Sequence, residues 1–356
     1  TASDGVEQGP AALLEAFAAA ASGAGPEAGF ARLGGPWTLA LPTDHGAHPA
    51  ARSESWTVAA HLLDETGRRI GVQLAFARFG IDAPDAGAAP TGWDVSRVHR
   101  AHVVLAEDGA AAARAEERLS RGAFASAGQD PAAGAIWIDD WRLAADAKPD
   151  GPGLTLTATL EGMPLHLVLS AERDPIQIDA DGTGPVRGYV LSRLAVEGRL
   201  GEGPEARALA GVAWLDHVWG ELPLPVGPVA SDRLILHLDD GTELSILRTR
   251  RRDGRGAATV DALFVAADGT VNAGASPDVE MAPHAPAAAR DGLGAYPLSW
   301  QLKGPGLTLD ISPLMEAQRH AFAMPLWSGA VIATGRRDGA PIAGVGTLQL
   351  TGYEMP

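Results

Sequence analysis

The chain contains no cysteine, which removes disulfide frameworks, thiolate nucleophiles, Cys-bound zinc and iron–sulfur clusters together. It also lacks an uncharged run of the roughly 18 residues expected of a spanning helix. The longest such run, Ala321 to Gly335, is interrupted by Pro325, so no integral membrane segment is expected. Basic residues are scarce: 28 Lys+Arg against 44 Asp+Glu leave a formal net charge of −16. Nucleic acid and anionic membrane surfaces both recruit basic patches, and neither is expected as a partner. There is no G-x-S-x-G elbow, H-E-x-x-H pair, Walker A loop or strand-coupled G-x-G-x-x-G, which sets aside triad hydrolases and nucleotide enzymes of the usual kind. No cofactor is implied. A basic leader followed by an apolar stretch is also missing, and a start at Thr1 reads as removal of an initiator Met, so the expected location is cytoplasmic.

What the chain does have is punctuation. Among 356 residues are 44 Gly and 26 Pro, about a fifth of the total without a collagen period, which suits many short strands joined by tight turns. Asp-Gly pairs recur at 108/109, 181/182, 240/241, 253/254, 268/269 and 338/339, the favoured dipeptide of type I′ hairpins. Alternation supports the same reading. Ser55 to Leu63, a turn at Asp64 to Gly67 and Arg69 to Phe79 make one hairpin. Further strands are expected over Arg233–Leu238, Glu243–Arg250, Thr259–Val265, Trp327–Thr334 and Ile342–Thr351. Two helices are expected: Pro10 to Ala21, with Leu13, Leu14 and Phe17 on one stripe, and Pro313 to His320, capped by Ser312. The turn-rich Asp174 to Gly188 places a boundary, giving a helical extension over 1–30 and two β domains over 31–185 and 186–356. A Trp-apolar-Asp step in each half (Trp137-Ile138-Asp139, Trp214-Leu215-Asp216) favours two related barrels, since closure removes sheet edges.

The nine Trp outnumber the seven Phe and three Tyr, and large rigid indoles suit a pocket for an apolar ligand. The densest cluster is Ala213-Trp214-Leu215-Asp216-His217-Val218-Trp219-Gly220. On a strand, Trp214 and Asp216 share one face, and Leu215, His217 and Trp219 the other. If the first face lines a barrel, burial raises the Asp216 carboxyl's proton affinity and lets it act as a general acid, with Trp faces stabilising a cation. The structural alternative is a latch between domains. A second cluster, Asp44-His45-Gly46-Ala47-His48-Pro49 followed by Arg52, Glu54 and Trp56, offers metal-type ligands. His45 and His48 lack an obvious third ligand, so a hydrogen-bonded loop closing a barrel is expected and no metal. His102 lies in an apolar strand, and Trp137 with Trp141 could share the face of one strand.

These clusters, with Glu117-Arg118-Leu119-Ser120-Arg121-Gly122, Leu165-His166-Leu167, Leu238-Asp239-Asp240-Gly241, Trp327-x-Gly329-Ala330-Val331 and Leu350-Thr351-Gly352-Tyr353, resemble the AttH-like branch of the carotenoid 1,2-hydratase family along nearly the whole chain. The resemblance implies an all-β protein of two tandem lipocalin-like antiparallel β-barrels, with a ligand or active site in or between them. It carries the role of acid onto Asp216, beside His217 and Trp214, where family hydratases have Tyr in place of Trp214. Trp56, His45, His102, Trp137, Trp141, Trp219, Trp327 and Tyr353 become candidate substrate-binding residues. The implied activity is acid-catalysed hydration, dehydration, isomerisation or cyclisation of an apolar, unsaturated terpenoid or polyene. The alternatives are a carrier of an apolar ligand and a shape-driven pericyclase.

Overall fold

The strands form two curved antiparallel sheets, with burial alternating along stretches such as 74–80 and 307–312. The computed structural model describes residues 30, 33–81, 97–130, 132–148, 151–221, 229–284 and 296–353; the expected helix at Pro10 to Ala21 lies outside them. The first sheet is built from β1 (Ser53–Asp64), β2 (Arg69–Gly80), β3 (Arg97–Glu107), β4 (Arg114–Ser120), β5 (Ala127–Asp130), β6 (Ala135–Ile138), β7 (Trp141–Lys148), β8 (Gly151–Leu160), β9 (Met163–Ala171), β10 (Ile176–Ile178), β11 (Val186–Leu200) and β12 (Arg207–Gly220). The second comprises β13 (Val229–Leu238), β14 (Glu243–Arg251), β15 (Thr259–Val265), β16 (Val271–Ala275), β17 (Glu280–Pro283), β18 (Trp300–Gly304), β19 (Leu307–Pro313), β20 (Arg319–His320), β21 (Leu326–Arg337) and β22 (Ala340–Thr351).

Their spatial orders are 4-3-2-1-12-11-9-8-7-6-5 and 16-15-14-13-22-21-19-18-17, with β10 on β11 and β20 on β21. In each, the first strand pairs with the last. The chain is therefore all-β and forms two tandem lipocalin-like units, a nearly closed barrel and a half-barrel. Trp56, Val58, Val72, Leu74, Leu167, Leu215 and their neighbours fill the barrel, and Leu234, Leu236, Ile246, Trp300 and Trp327 fill the half-barrel. A third, smaller cluster joins Ala59, Val190 and Trp214 of the first sheet to Ile235 of the second.

Four expectations need correction. The changeover between sheets falls between Gly220 and Val229, because β11 and β12 hydrogen-bond into the first sheet; the boundary at 185/186 cuts through that sheet. Residues 313–320 form no helix. Leu314 donates to the Ala330 carbonyl, and the Gln318 side chain bridges Met315 and Ala330, so the segment is tied to β21 in place of a helical ladder. Trp137 and Trp141 lie on successive strands, since Asp139 at φ 53° and Asp140 turn the chain between them. At the six Asp-Gly pairs named above every glycine has positive φ, but only at 338/339 does the Asp share it, as type I′ requires.

Candidate functional site

The strand β12 is buried on both faces, and the two faces carry different chemistry. Trp214 and Asp216 share a face, as their spacing predicts, but that face lies between the sheets and not inside the barrel. Arg233 of β13 donates to Asp216 Oδ1 at 2.7 Å, so a carboxyl in the barrel lumen is replaced by an ion-paired carboxyl between the sheets. Asp216 Oδ2 and Trp214 Nε1 are buried with no hydrogen-bond partner among the described residues, as are Ser192 Oγ of β11, both ring nitrogens of His102 and both of His237. Buried polar atoms in folded proteins are nearly always paired, and these belong to the faces with which the two sheets meet.

His102 sits 5.4 Å from the Phe322 ring, and burial, Arg100 and His320 push its pKa well below 6.5. His61 and His237 approach edge-on at 5.9 Å from opposite sheets. Burial lowers His61 to about 4; burial, then His61 and two arginines, holds His237 well below its ordinary value. Gln73 links to Gln349 at 3.0 Å and to Ser328. A cleft of about 670 Å³ opens at one edge, lined by Arg173, Ile176, Ser192, Val265, Asp268 and Val271 among others. Asp216 pairs with Val190, and Val190 with the cleft residue Ile176.

The other face of β12 points into one end of the barrel, where the 36–52 loop closes it. There the structure gathers His45, Trp56, His217 and Trp219 from the candidate residues. The hub is Glu54, fully buried on β1. Its Oε1 accepts from His48 Nδ1 and His217 Nε2, both at 2.8 Å, and its Oε2 from Arg78 at 2.9 and 3.2 Å. Burial pushes the Glu54 pKa up, but these hydrogen bonds and the adjacent positive charge outweigh it and hold it at about 2. Burial keeps His217 below its ordinary value despite Glu54. With that imidazole neutral, Arg78 supplies the compensating charge. Trp219 stacks on His48 at 3.6 Å, Trp56 on His217 at 4.4 Å, and Trp37 meets Trp219 edge-on at 5.2 Å. His45 turns away from His48 to hydrogen-bond the Tyr189 hydroxyl; burial lowers His45 to about 4 and raises Tyr189 well above 10. Among the described residues, His48, Glu54 and His217 each bring a possible metal-ligand atom within 4.8 Å of the others, with His48 Nδ1 and His217 Nε2 both on Glu54 Oε1.

The remaining candidates lie apart. Trp141 is barrel core, donating to the Thr159 carbonyl beneath the Arg118 guanidinium. Trp137 lies on β6, with Arg142 over its ring. Trp327 is half-barrel core, and Tyr353 stands 3.9 Å from Arg250. Sequence reasoning did not select Arg78, Tyr189 or Arg233. For Arg78 a signal existed: it shares the inward parity of Leu74 and Phe76, where a charge signals a buried partner.

A family model described as AttH-like matches residues 32–353. An AttH structure from Nitrosomonas europaea is 25% identical, covering 92% of this chain and 100% of that one with a TM-score of 0.79. Kievitone hydratase from Nectria haematococca is 14% identical over 91% and 98% of the two chains, TM-score 0.65. CghA with Sch210972 is 14% identical over 92% and 97%, TM-score 0.55. No curated protein matches by sequence.

Proposed function

The chain belongs to the AttH-like family, and from that premise we propose that it is an enzyme transforming an apolar, unsaturated small molecule bound between its two sheets. One observation carries the reading: Asp216 Oδ2 and Trp214 Nε1 are buried side by side on the inter-sheet face with no hydrogen-bond partner among the described residues. Arg233 occupies Oδ1, which leaves Oδ2 as the atom to carry a proton toward a ligand. In the proposed step the Oδ2 proton adds to an alkene carbon, the Trp214 ring stabilises the cation, and water addition or loss of another proton completes hydration or isomerisation and restores the acid. The adjacent cleft falls within the 300–1,000 Å³ typical of small-molecule sites. Its wall of Ile176, Val265 and Val271 suits hydrocarbon, while Arg173 and Asp268 suit a polar substituent. A protein sharing the fold is named a hydratase, the reaction class this proposal carries over.

The Arg233 ion pair favours a second reading, in which the carboxylate positions Arg233 and the cleft guides a reaction by shape alone. Untargeted mass spectrometry separates the two. Terpenoid and polyene extracts are incubated with the parent chain and with Asp216→Asn, and bound ligand is followed by native mass spectrometry. An acid role predicts product formation that drops at least a hundredfold in the variant with ligand still bound. A drop of only a few fold supports the shape-driven reading, and a ligand bound unchanged by both proteins makes the chain a carrier.

A further inference from the structure

We propose that His48, Glu54 and His217 form a binding site for one divalent transition-metal ion at the barrel end. The three groups come from the 36–52 loop, β1 and β12, so only the folded barrel brings them together. Two imidazoles and a carboxylate are the protein ligands of many three-residue zinc and related sites. Two of the three donors are also held from behind, as metal ligands usually are. Arg78 grips Glu54 through the oxygen that the imidazoles leave alone. His48 presents its second nitrogen, Nε2, to Asp44 Oδ1 at 3.5 Å. His217 Nδ1 makes no well-formed hydrogen bond but lies close to the Asp44 backbone.

Stacking fixes the ring planes: Trp219 and His48 are inclined by 4°, Trp56 and His217 by 21°. Without an ion, each imidazole donates its N–H to Glu54 Oε1. With one, the ring N–H is carried on the other nitrogen, His48 Nε2 toward Asp44 and His217 Nδ1 toward the Asp44 backbone. An approach exists from the loop side, where the His48 and Asp44 side chains are 22% and 19% exposed while Glu54 and His217 are fully enclosed. The site lies on the opposite face of β12 from Asp216 and uses neither Asp216 nor Arg233, so it stands or falls independently of the proposed reaction.

The test uses the tag-free chain after chelator treatment, titrated with Zn²⁺ in competition with a chromogenic chelator and, separately, with Co²⁺ followed by visible absorption. The expected result is one Zn²⁺ per chain at about micromolar affinity or tighter, with a Co²⁺ ligand-field band. His48→Ala, at the accessible ligand, should weaken binding at least tenfold and erase the band. Asp44→Asn should weaken it by about tenfold, and Asp216→Asn should leave it unchanged. Substoichiometric uptake by the parent chain overturns the site, as does equal binding by His48→Ala, which would place the ion on other histidines.

Discussion

His61 offers a quantitative test of how the sheets are held together. It reaches from β1 to Thr347 of β22 at 3.4 Å and to His237 of β13, and burial lowers its pKa from 6.5 to about 4. Between those values the unfolded chain binds a proton that the folded chain refuses. The His61 contribution is therefore complete above about pH 6.5 and is lost as pH falls toward 4. At 1.36 kcal/mol per unit the full loss is about 3 kcal/mol, and going from pH 7 to pH 5 removes about 2 kcal/mol of it. The perturbation is His61→Gln, which cannot titrate. Urea unfolding at constant ionic strength, read by Trp emission at pH 7 and pH 5, should show the parent losing about 2 kcal/mol more than the variant. Equal losses would mean that His61 is protonated in the folded protein or reached by water, and the tight seam inferred around it would be wrong.

Other substitutions test neighbouring parts of the argument. Arg78→Met strands the buried Glu54 carboxylate and should cost about 3–5 kcal/mol, read as a lowered thermal midpoint. Gly71→Ala should cost about 1–3 kcal/mol, because its Cβ would stand 2.4 Å from that of Ala330 across the seam; Ala330→Gly in the same chain should restore most of it in a double-mutant cycle. Gln318→Ala removes the bridge to Met315 and Ala330 and should destabilise by about 1–3 kcal/mol, measured by urea titration.

Local pattern was enough to read the β class and the hairpin strands β1, β2, β13, β14, β15, β21 and β22, because alternation and Asp-Gly turns are written in adjacent residues. The membership of β12 was not readable that way, since it is decided by pairing with β1, more than a hundred residues earlier, and β11 enters the sheet between β9 and β12. The same limit explains the 313–320 segment, where Ser312 and Pro313 resemble a helix start while distant Ala330 supplies the actual partner. At the site, the shared face of Trp214 and Asp216 followed from spacing. Which way it pointed did not, because Ala213 through His217 are all buried, and a strand covered on both sides carries no polarity signal. His217 was legible as a candidate, but its bond to Glu54, 163 residues earlier, was not.

The pairing of first strand with last has a kinetic meaning. During synthesis β1 can form its hairpin with β2 at once, but its other edge waits until β12 has been made, and β13 waits likewise for β22. Closures over such sequence distances are slow, and the open β1 edge is meanwhile available to other chains. Asp216 and His217 lie on the closing strand itself, so both faces of the candidate site come into being only at the last step of folding the barrel. Variants that weaken β12 should therefore lower the yield of folded protein before they change anything measurable in the molecules that do fold.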